Sequence, residues 1–528
     1  MSLDILIRGG RVYDGTGSSW IRADIGVEGD TIQVLRGDTS KVLAARVIDA
    51  TGLAVCPGFI DMHAHSTMAI LADPAHEAKV RQGVTTELIG VDGNSYAPFP
   101  SADDLDGWSI MNAGLDGRRP PGLSWSSVAE YLEIYDQQVP VNIAYVIGNT
   151  PLRVASVGWE DLPLTPNDMA TQRDLLQAGL NDGAFGFSTG LTYPPGSFAE
   201  LEELTELAEV AARNGAIHVS HVRYGAGSTF TDPFYEVVEM SRRTGVALHI
   251  SHYASLSKKD GEFNKLIGLV EEARDEGLQV SFDAYPYNQG GSRATVALPE
   301  WIQAGGPDRL LEHLASNDSR RKMREEVDPR QSRWRNPAGW HLSGFESPAY
   351  RHFEGIGFDE IAEEMSLDPL DALCDLLIAE DLGISYVGHD SNNMETVRHI
   401  LSHDLCAVGS DGLLVGDAPS PRTYGTFPKM LGGLVRDEGL MTLEESIRKM
   451  TSYPAGLLGI SDRGVIREGA KADLVVFDPD TIDSASSVAN PRQFPTGIPH
   501  VIVNGVPVID HDRRTDATPG RALKSRYR

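Results

Sequence analysis

The sequence predicts an α/β barrel with a smaller β-sandwich built from both ends of the chain, and three observations predict it. Through the middle of the chain the pattern strand, loop, helix repeats many times, as parallel strands with helical crossovers require. Both ends instead carry short strands punctuated by Gly-Gly, Gly-Asp and Asn-Gly turns. The length of 528 residues exceeds what one hydrophobic core usually serves, whereas an α/β barrel of about 250 residues or more is a single unit. The expected division is residues 1–56 with 464–528 for the sandwich and 57–463 for the barrel.

Taken in order, residues 4–8 (DILIR), 23–28 (ADIGVE) and 31–35 (TIQVL) read as strands, and 473–477 (DLVVF) and 501–503 before Asn504-Gly505 repeat that grammar at the other end. Strands of the central region centre on Ile60, Thr86, Ala144, Phe185, Val219, Leu248, Val280, Tyr386 and Val408. That is nine for an eight-stranded barrel, so either the Val280 or the Tyr386 segment lies outside the regular count. The intervening helices are amphipathic, with 201–214 stopping at Gly215 and 265–276 at Gly277. Residues 289–353 are rich in Pro, Trp and charge and poor in strand pattern, which predicts an insertion or lid after a barrel strand.

Composition narrows the function. The formal net charge of −29 disfavours nucleic acid and anionic membranes as partners and leaves a small-molecule substrate. Cys56, Cys374 and Cys406 sit in apolar stretches without C-x-x-C spacing, as in a reducing cytoplasm. No run of about 18 uncharged apolar residues occurs, so neither a signal peptide nor a membrane span is expected. The oligomeric state has no signature here.

The chemistry is expected at the C-terminal ends of the barrel strands. In Pro57-Gly58-Phe59-Ile60-Asp61-Met62-His63-Ala64-His65-Ser66, side chains alternate, so His63 and His65 point to one side, within reach of one ion. Neutral imidazoles so placed suit Zn²⁺ and neighbouring transition metals. His221 and His252 end two later strands and Asp411 ends the last. His218 and His249 lie an odd three places before the terminal histidines, on the opposite strand face, and are expected to be structural. The set can bind one or two divalent metals, activate water and move a proton.

In this order the set resembles the amidohydrolase superfamily, and within it the N-acyl-D-amino-acid deacylases. The likeness extends through Gln82-Gly83-Val84-Thr85-Thr86-Glu87, Gly186-Phe187-Ser188-Thr189-Gly190-Leu191-Thr192-Tyr193, Asp283-Ala284-Tyr285-Pro286-Tyr287, Pro421-Arg422-Thr423-Tyr424-Gly425-Thr426-Phe427, Arg463-Gly464-Val465-Ile466 and Val503-Asn504-Gly505. It implies a deformed TIM barrel with a β-sandwich from both termini, a zinc site, and hydrolysis of an N-acyl group from a D-amino acid. It further implies His221 and His252 as tight-site ligands, His63 and His65 at a second metal position, and Asp411 as acid/base. Tyr193, Arg223, Tyr285 and Arg422 fall at positions near the substrate carboxylate or reacting carbonyl.

Four departures stand out. The family's Gly-Asn-Cys-Gly, with a bridging thiolate, is here Gly90-Val91-Asp92-Gly93, which puts Asp92 in the bridging place. A carboxylate is harder than a thiolate and admits Mn²⁺, Co²⁺ or Fe²⁺ beside Zn²⁺. Ser-His-x-Lys becomes Ser251-His252-Tyr253-Ala254, His-Pro-Arg becomes Ser420-Pro421-Arg422, and a Gly-His before Leu-Arg becomes Gly148-Asn149 before Leu152-Arg153. Two alternatives use the same fold: a cyclic-amide hydrolase, and a non-catalytic scaffold, which would have no need of the five strand-end residues.

Overall fold

The computed structural model describes residues 2–227, 229–253, 262–326 and 332–525. Eight parallel strands form the centre: β1 (Phe59–Asp61), β2 (Val84–Ile89), β3 (Asn142–Gly148), β4 (Gly186–Gly190), β5 (Ile217–His221), β6 (Ala247–Ile250), β7 (Val280–Ala284) and β8 (Cys406–Val408). Each pairs with the next in chain order. Ile60, Leu88, Ala144, Val146, Val219 and Ala407 fill the interior. The alternate residues, such as Phe59, Ile89, Tyr145, Phe187 and Phe282, belong to the large outer cluster with the helices. Both strand faces are therefore buried, which is why the strands read as continuous apolar runs.

Among the described residues no ladder joins β1 to β8, and other contacts close the ring. Met62 N–H donates to the Val408 carbonyl at 3.3 Å and Asp411 N–H to that of His63 at 2.9 Å, and Gly412 and Leu413 pair in parallel with Ala64 and His65. Beneath them Asp61 accepts the amides of His63 at 3.1 Å and Ser410 at 2.8 Å. The buried Lys79 ammonium binds Asp61 Oδ2 at 2.7 Å and Ser410 Oγ at 2.5 Å. One ion pair thus fixes the backbone at the point where the first and last strands meet.

The sequence count of nine strands resolves in favour of Val280. Ser385–Gly388, which contains Tyr386, instead joins Gly290–Arg293 and Trp340–Ser343 in an antiparallel three-stranded sheet. The expected insertion at 289–353 therefore does contain strands, and because β7 pairs directly with β8 the whole excursion between them extends past residue 353. Strand pattern alone does not say which sheet a segment joins.

At the ends, Thr31–Leu35, Asp24–Glu28, Leu3–Arg8 and Ala44–Asp49 form a four-stranded sheet in that order. Leu474–Phe477 and His500–Val503 do not pair with these. They join Ala54–Pro57 in a seven-stranded sheet. Ile5, Ile7, Ile25, Val27 and Ile48 of the first sheet share one buried cluster with Val55, Leu474, Val476 and Ile502 of the second, so the two sheets form the expected sandwich. No helix among the described residues is long and apolar enough to cross a membrane.

Candidate metal centre

The strand-end residues converge on one carboxylate oxygen. Asp92 Oδ2 lies 3.4 Å from His63 Nε2, 3.5 Å from His65 Nε2, 3.4 Å from His221 Nδ1 and 3.5 Å from His252 Nε2. The imidazoles approach in pairs, with His63 Nε2 3.3 Å from His65 Nε2 and His221 Nδ1 2.9 Å from His252 Nε2. Asp411 Oδ1 completes the first pair at 3.4 Å from His65 Nε2 and 3.7 Å from His63 Nε2. Ligands bonded at about 2.0 Å to a tetrahedral ion stand about 3.3 Å apart. The donor set has that spacing, and Asp92 lies between the two pairs.

Local backbone geometry explains how these side chains are aimed. Asp92, His252 and Asp411 have φ of +56°, +33° and +47°, left-handed values that cost a non-glycine residue energy and persist only where the surroundings enforce them. At Gly190 an added Cβ would meet the Asp92 carbonyl oxygen at 1.7 Å. The end of β4 must therefore be glycine for the Asp92 turn to lie against it.

Outer partners set the tautomers. The His65 Nδ1 side faces Asp116 Oδ1 at 3.2 Å, His221 Nε2 faces Thr192 Oγ1 at 2.6 Å, and His252 Nδ1 faces the Tyr224 hydroxyl at 3.1 Å. In each ring the nitrogen turned to the centre is thereby left free to donate a lone pair, the usual arrangement around a metal-ligating histidine. His63 Nδ1 lies 3.5 Å from Asp283 Oδ2 without a hydrogen bond, and Asp92 Oδ1 is likewise buried without one.

Charge is strongly perturbed here. Burial opposes a charge on His63, yet Asp92 and Asp283 outweigh it and raise its pKa to about 10. His221 goes the other way, held down at about 4 by burial in spite of Asp92. Asp411 is lowered to about 2 because Arg422, then His65 and His63, overcome its burial. Asp92 is held well below the usual carboxylate range against its burial by His63, His221 and His252. Two carboxylates packed against four imidazoles, His63 among them held protonated, form a site that suits a divalent cation, which displaces protons on binding. The donor types, their spacing and the unbonded buried atoms all fit such an ion.

Of the remaining sequence-predicted residues, Arg422 is fully buried, with Nη1 3.0 Å from Asp411 Oδ2 and its guanidinium 4.4 Å from the centre of the Tyr285 ring. Tyr285 receives a hydrogen bond from Asn392 at 3.3 Å. Tyr193 packs on His221 with ring centres 4.9 Å apart and shares a hydrogen bond with Ser292 at 3.0 Å. Burial raises both phenols' pKa, Tyr285 to about 12, so both stay protonated donors. Arg223 donates to the carbonyls of Ser197 at 2.6 Å and Ala199 at 2.8 Å, and with Thr192, Tyr224, Leu298 and Gln303 lines a cavity of about 160 Å³, two of whose walls, Thr192 and Tyr224, bond His221 and His252.

The two histidines expected to be structural are buried in hydrogen bonds: His218 Nε2 to Thr189 Oγ1 at 3.0 Å, and His249 to Ser281 at 2.8 Å and Asp283 at 3.0 Å. The sequence reading missed Asp283, Asp116, Thr192 and Tyr224. Asp283 lies one residue before the end of β7 and Asp411 just after β8, so position near a strand end was a usable signal. Asp116 lies in the short helix Ala113–Asp116, remote from any strand end, and carries no such signal.

Comparison with known proteins identifies the family. The profile described as amidohydrolase family matches residues 46–301 and 360–509. N-acyl-D-glutamate deacylase of Alcaligenes xylosoxydans xylosoxydans is 34% identical over 99% of this chain and 96% of its own, and the D-aminoacylase of the same organism is 32% identical over 98% and 97%. Among solved structures, N-acyl-D-glutamate deacylase from Bordetella bronchiseptica superposes with a TM-score of 0.84 at 30% identity, covering 99% of this chain and 100% of the other. That enzyme was complexed with zinc and a phosphonate inhibitor, a mimic of the reaction tetrahedral intermediate.

Proposed function

Because this chain belongs to the amidohydrolase family, we propose that it hydrolyses the linear amide of N-acyl-D-amino acids to a carboxylate and a free amine. The single observation that carries this is the placement of Asp92 Oδ2 within 3.5 Å of four imidazole nitrogens, with Asp411 beside them. The named activities of the relatives support the linkage and the D series. His221, His252 and Asp92 would hold one divalent ion, and His63 and His65 with Asp92 a second; zinc suits the imidazoles, and the Asp92 carboxylate also accepts Mn²⁺, Co²⁺ or Fe²⁺. When bound, such an ion supplies a Lewis acid for the amide carbonyl and lowers the pKa of a neighbouring water.

The chain's own residues do the rest. Asp411 is anionic, with Oδ1 turned to the histidines and Oδ2 held by Arg422. It accepts the proton of the attacking water and returns it to the leaving nitrogen, which departs poorly as an amide anion. Tyr193 and Tyr285, both protonated, serve as donors to the developing oxyanion or to the substrate carboxylate. Arg422 has its charge committed to Asp411 and thereby keeps the base ionised, while one face of the guanidinium is covered by Tyr285. Arg223 shapes the cavity beside His221 through its carbonyl contacts. Cys56, Cys374 and Cys406 are buried free thiols, which supports a cytoplasmic protein.

The deciding experiment measures free amine from N-acetyl and N-formyl D- and L-amino acids, and from hydantoin rings, with metal-loaded protein of verified metal content. Turnover confined to the D-acyl series is expected. Turnover of the rings alone, or of no acyl amino acid, overturns the proposal.

A further inference from the structure

A second cluster of metal-ligating side chains lies in the sandwich, on strands His500–Val503 and Val506–Asp510 and the turn that follows. His500 and Asp510 are opposite one another across the antiparallel pair, so their side chains leave the sheet on the same face. The next residue, His511, has φ of +47°, which turns its ring back over the pair. The ring centres of His500 and His511 are 4.7 Å apart. His500 Nδ1 stands 3.2 Å from Asp510 Oδ1 and His511 Nε2 3.9 Å from the same oxygen.

We propose that His500, Asp510 and His511 form a binding site for a borderline divalent transition metal of the zinc class, separate from the catalytic centre. One ligand atom from each residue lies within 4.8 Å of the others, and the separations from Asp510 Oδ1, 3.2 and 3.9 Å, bracket the roughly 3.3 Å that bonds of about 2.0 Å impose in a tetrahedron. His511 is exposed and free to close the remaining gap by rotating. The independent observation is His500, which is only 4% exposed and whose Nδ1 is buried without a hydrogen-bond partner although it faces Asp510. A buried polar atom left unbonded costs stability, and a metal bond uses that lone pair. Two imidazoles with one carboxylate select Zn²⁺, Ni²⁺ or Cu²⁺ over Mg²⁺ or Ca²⁺, which require oxygen-rich sites.

Asp510 Oδ1 also pairs with the Arg46 guanidinium, from strand Ala44–Asp49 of the other sheet. That pairing does not preclude ligation, because metal-ligating carboxylates are themselves commonly hydrogen-bonded. It means that an ion here would be tied through Asp510 to both sheets of the sandwich.

The test uses the full chain with its catalytic metal already loaded, titrated with further Zn²⁺ and, separately, Mg²⁺. The parent is expected to hold one zinc more than His511→Ala after removal of free metal, and to show a zinc-dependent rise in Tm that the variant lacks. Asp510→Asn gives a second variant, and Mg²⁺ is expected to have no effect on either quantity. Equal zinc content and equal Tm shifts in parent and His511→Ala overturn the site, whatever the hydrolytic activity proves to be.

Discussion

Arg422 Nη1 sits 3.0 Å from Asp411 Oδ2, while the other oxygen of that carboxylate faces His65 Nε2 at 3.4 Å. One buried residue is therefore held between a permanent cation and the histidine cluster, with a charge that does not depend on substrate. The arrangement suits two duties: Arg422 holds Asp411 ionised, and the oxygen turned to the histidines is the one that the proposed mechanism uses to move protons.

Asp411→Asn is nearly isosteric and removes the base while keeping hydrogen-bonding capacity. Folding and metal content close to the parent are expected, with kcat lower by about 10² or more. Arg422→Gln removes the cation that depresses the Asp411 pKa, so the acidic limb of the pH–rate profile moves to higher pH, since less base is ionised at a given pH. Turnover of Asp411→Asn within a few-fold of the parent, or an unmoved acidic limb in Arg422→Gln, contradicts the respective role.

Asp92 replaces the thiolate of the family pattern, and Asp92→Cys restores it. Metal content is expected to persist while competition between Zn²⁺ and Mn²⁺ shifts toward Zn²⁺, because the softer ligand favours the softer ion. An Asp92→Ala protein that binds two metals as tightly as the parent removes Asp92 from the ligand set.

Asp116 acts on His65 from outside. Its Oδ1 lies 3.2 Å from His65 Nδ1, and its Oδ2 accepts from Asn112 at 2.9 Å. Asp116→Ala frees the imidazole to rotate and lowers the basicity of its inner nitrogen, so a loss of about 10–100-fold in metal affinity is expected. Equilibrium dialysis against a metal buffer measures it; unchanged affinity means that the carboxylate only fills space.

Local pattern made part of this site legible. His63-x-His65 is a period-two signal, and His221, His252 and Asp411 end recognisable strands, so neighbouring residues in the sequence sufficed to place them. Asp92 was found through its position in a motif. The Arg422–Asp411 pair joins residues from different elements behind the last strand, and Asp116 reaches His65 across 51 positions; no periodicity encodes either contact. The Tyr386 strand shows the same limit in the fold. Its composition suits a strand equally well in the barrel or beside Trp340–Ser343, and only tertiary packing chooses.

Lys79 is the cation of the barrel closure, and its replacement tests how much that closure contributes. Asp61 lies 2.7 Å away and Glu87 3.7 Å, all three side chains fully buried. Lys79→Met leaves Asp61 without its cation, while Glu87 keeps its contacts with His76 and Ser66, and stability is expected to fall by about 3–5 kcal/mol, as when one partner of a buried ion pair is removed. Adding Asp61→Asn should recover part of the loss. A urea midpoint for Lys79→Met that implies less than about 1 kcal/mol shows that the closure rests on the backbone contacts alone.

His218 gives the chain a stability slope on the acid side. Its ring stacks on Phe187 with centres 5.3 Å apart, Nδ1 is buried without a partner, and burial lowers its pKa to about 3. In the unfolded chain an imidazole titrates near 6.5, so between these values the unfolded state binds a proton that the folded state refuses. Stability from this group is therefore complete above about pH 6.5 and falls as pH drops, by up to about 1.4 kcal/mol per unit. His218→Gln, which can still bond Thr189, removes that term but not those of the other histidines. The parent's unfolding free energy relative to the variant is expected to shrink by about 2–3 kcal/mol between pH 6.5 and 4.5. A difference that stays constant over that range means that His218 takes up its proton without unfolding, and that the space around Nδ1 admits a partner such as water.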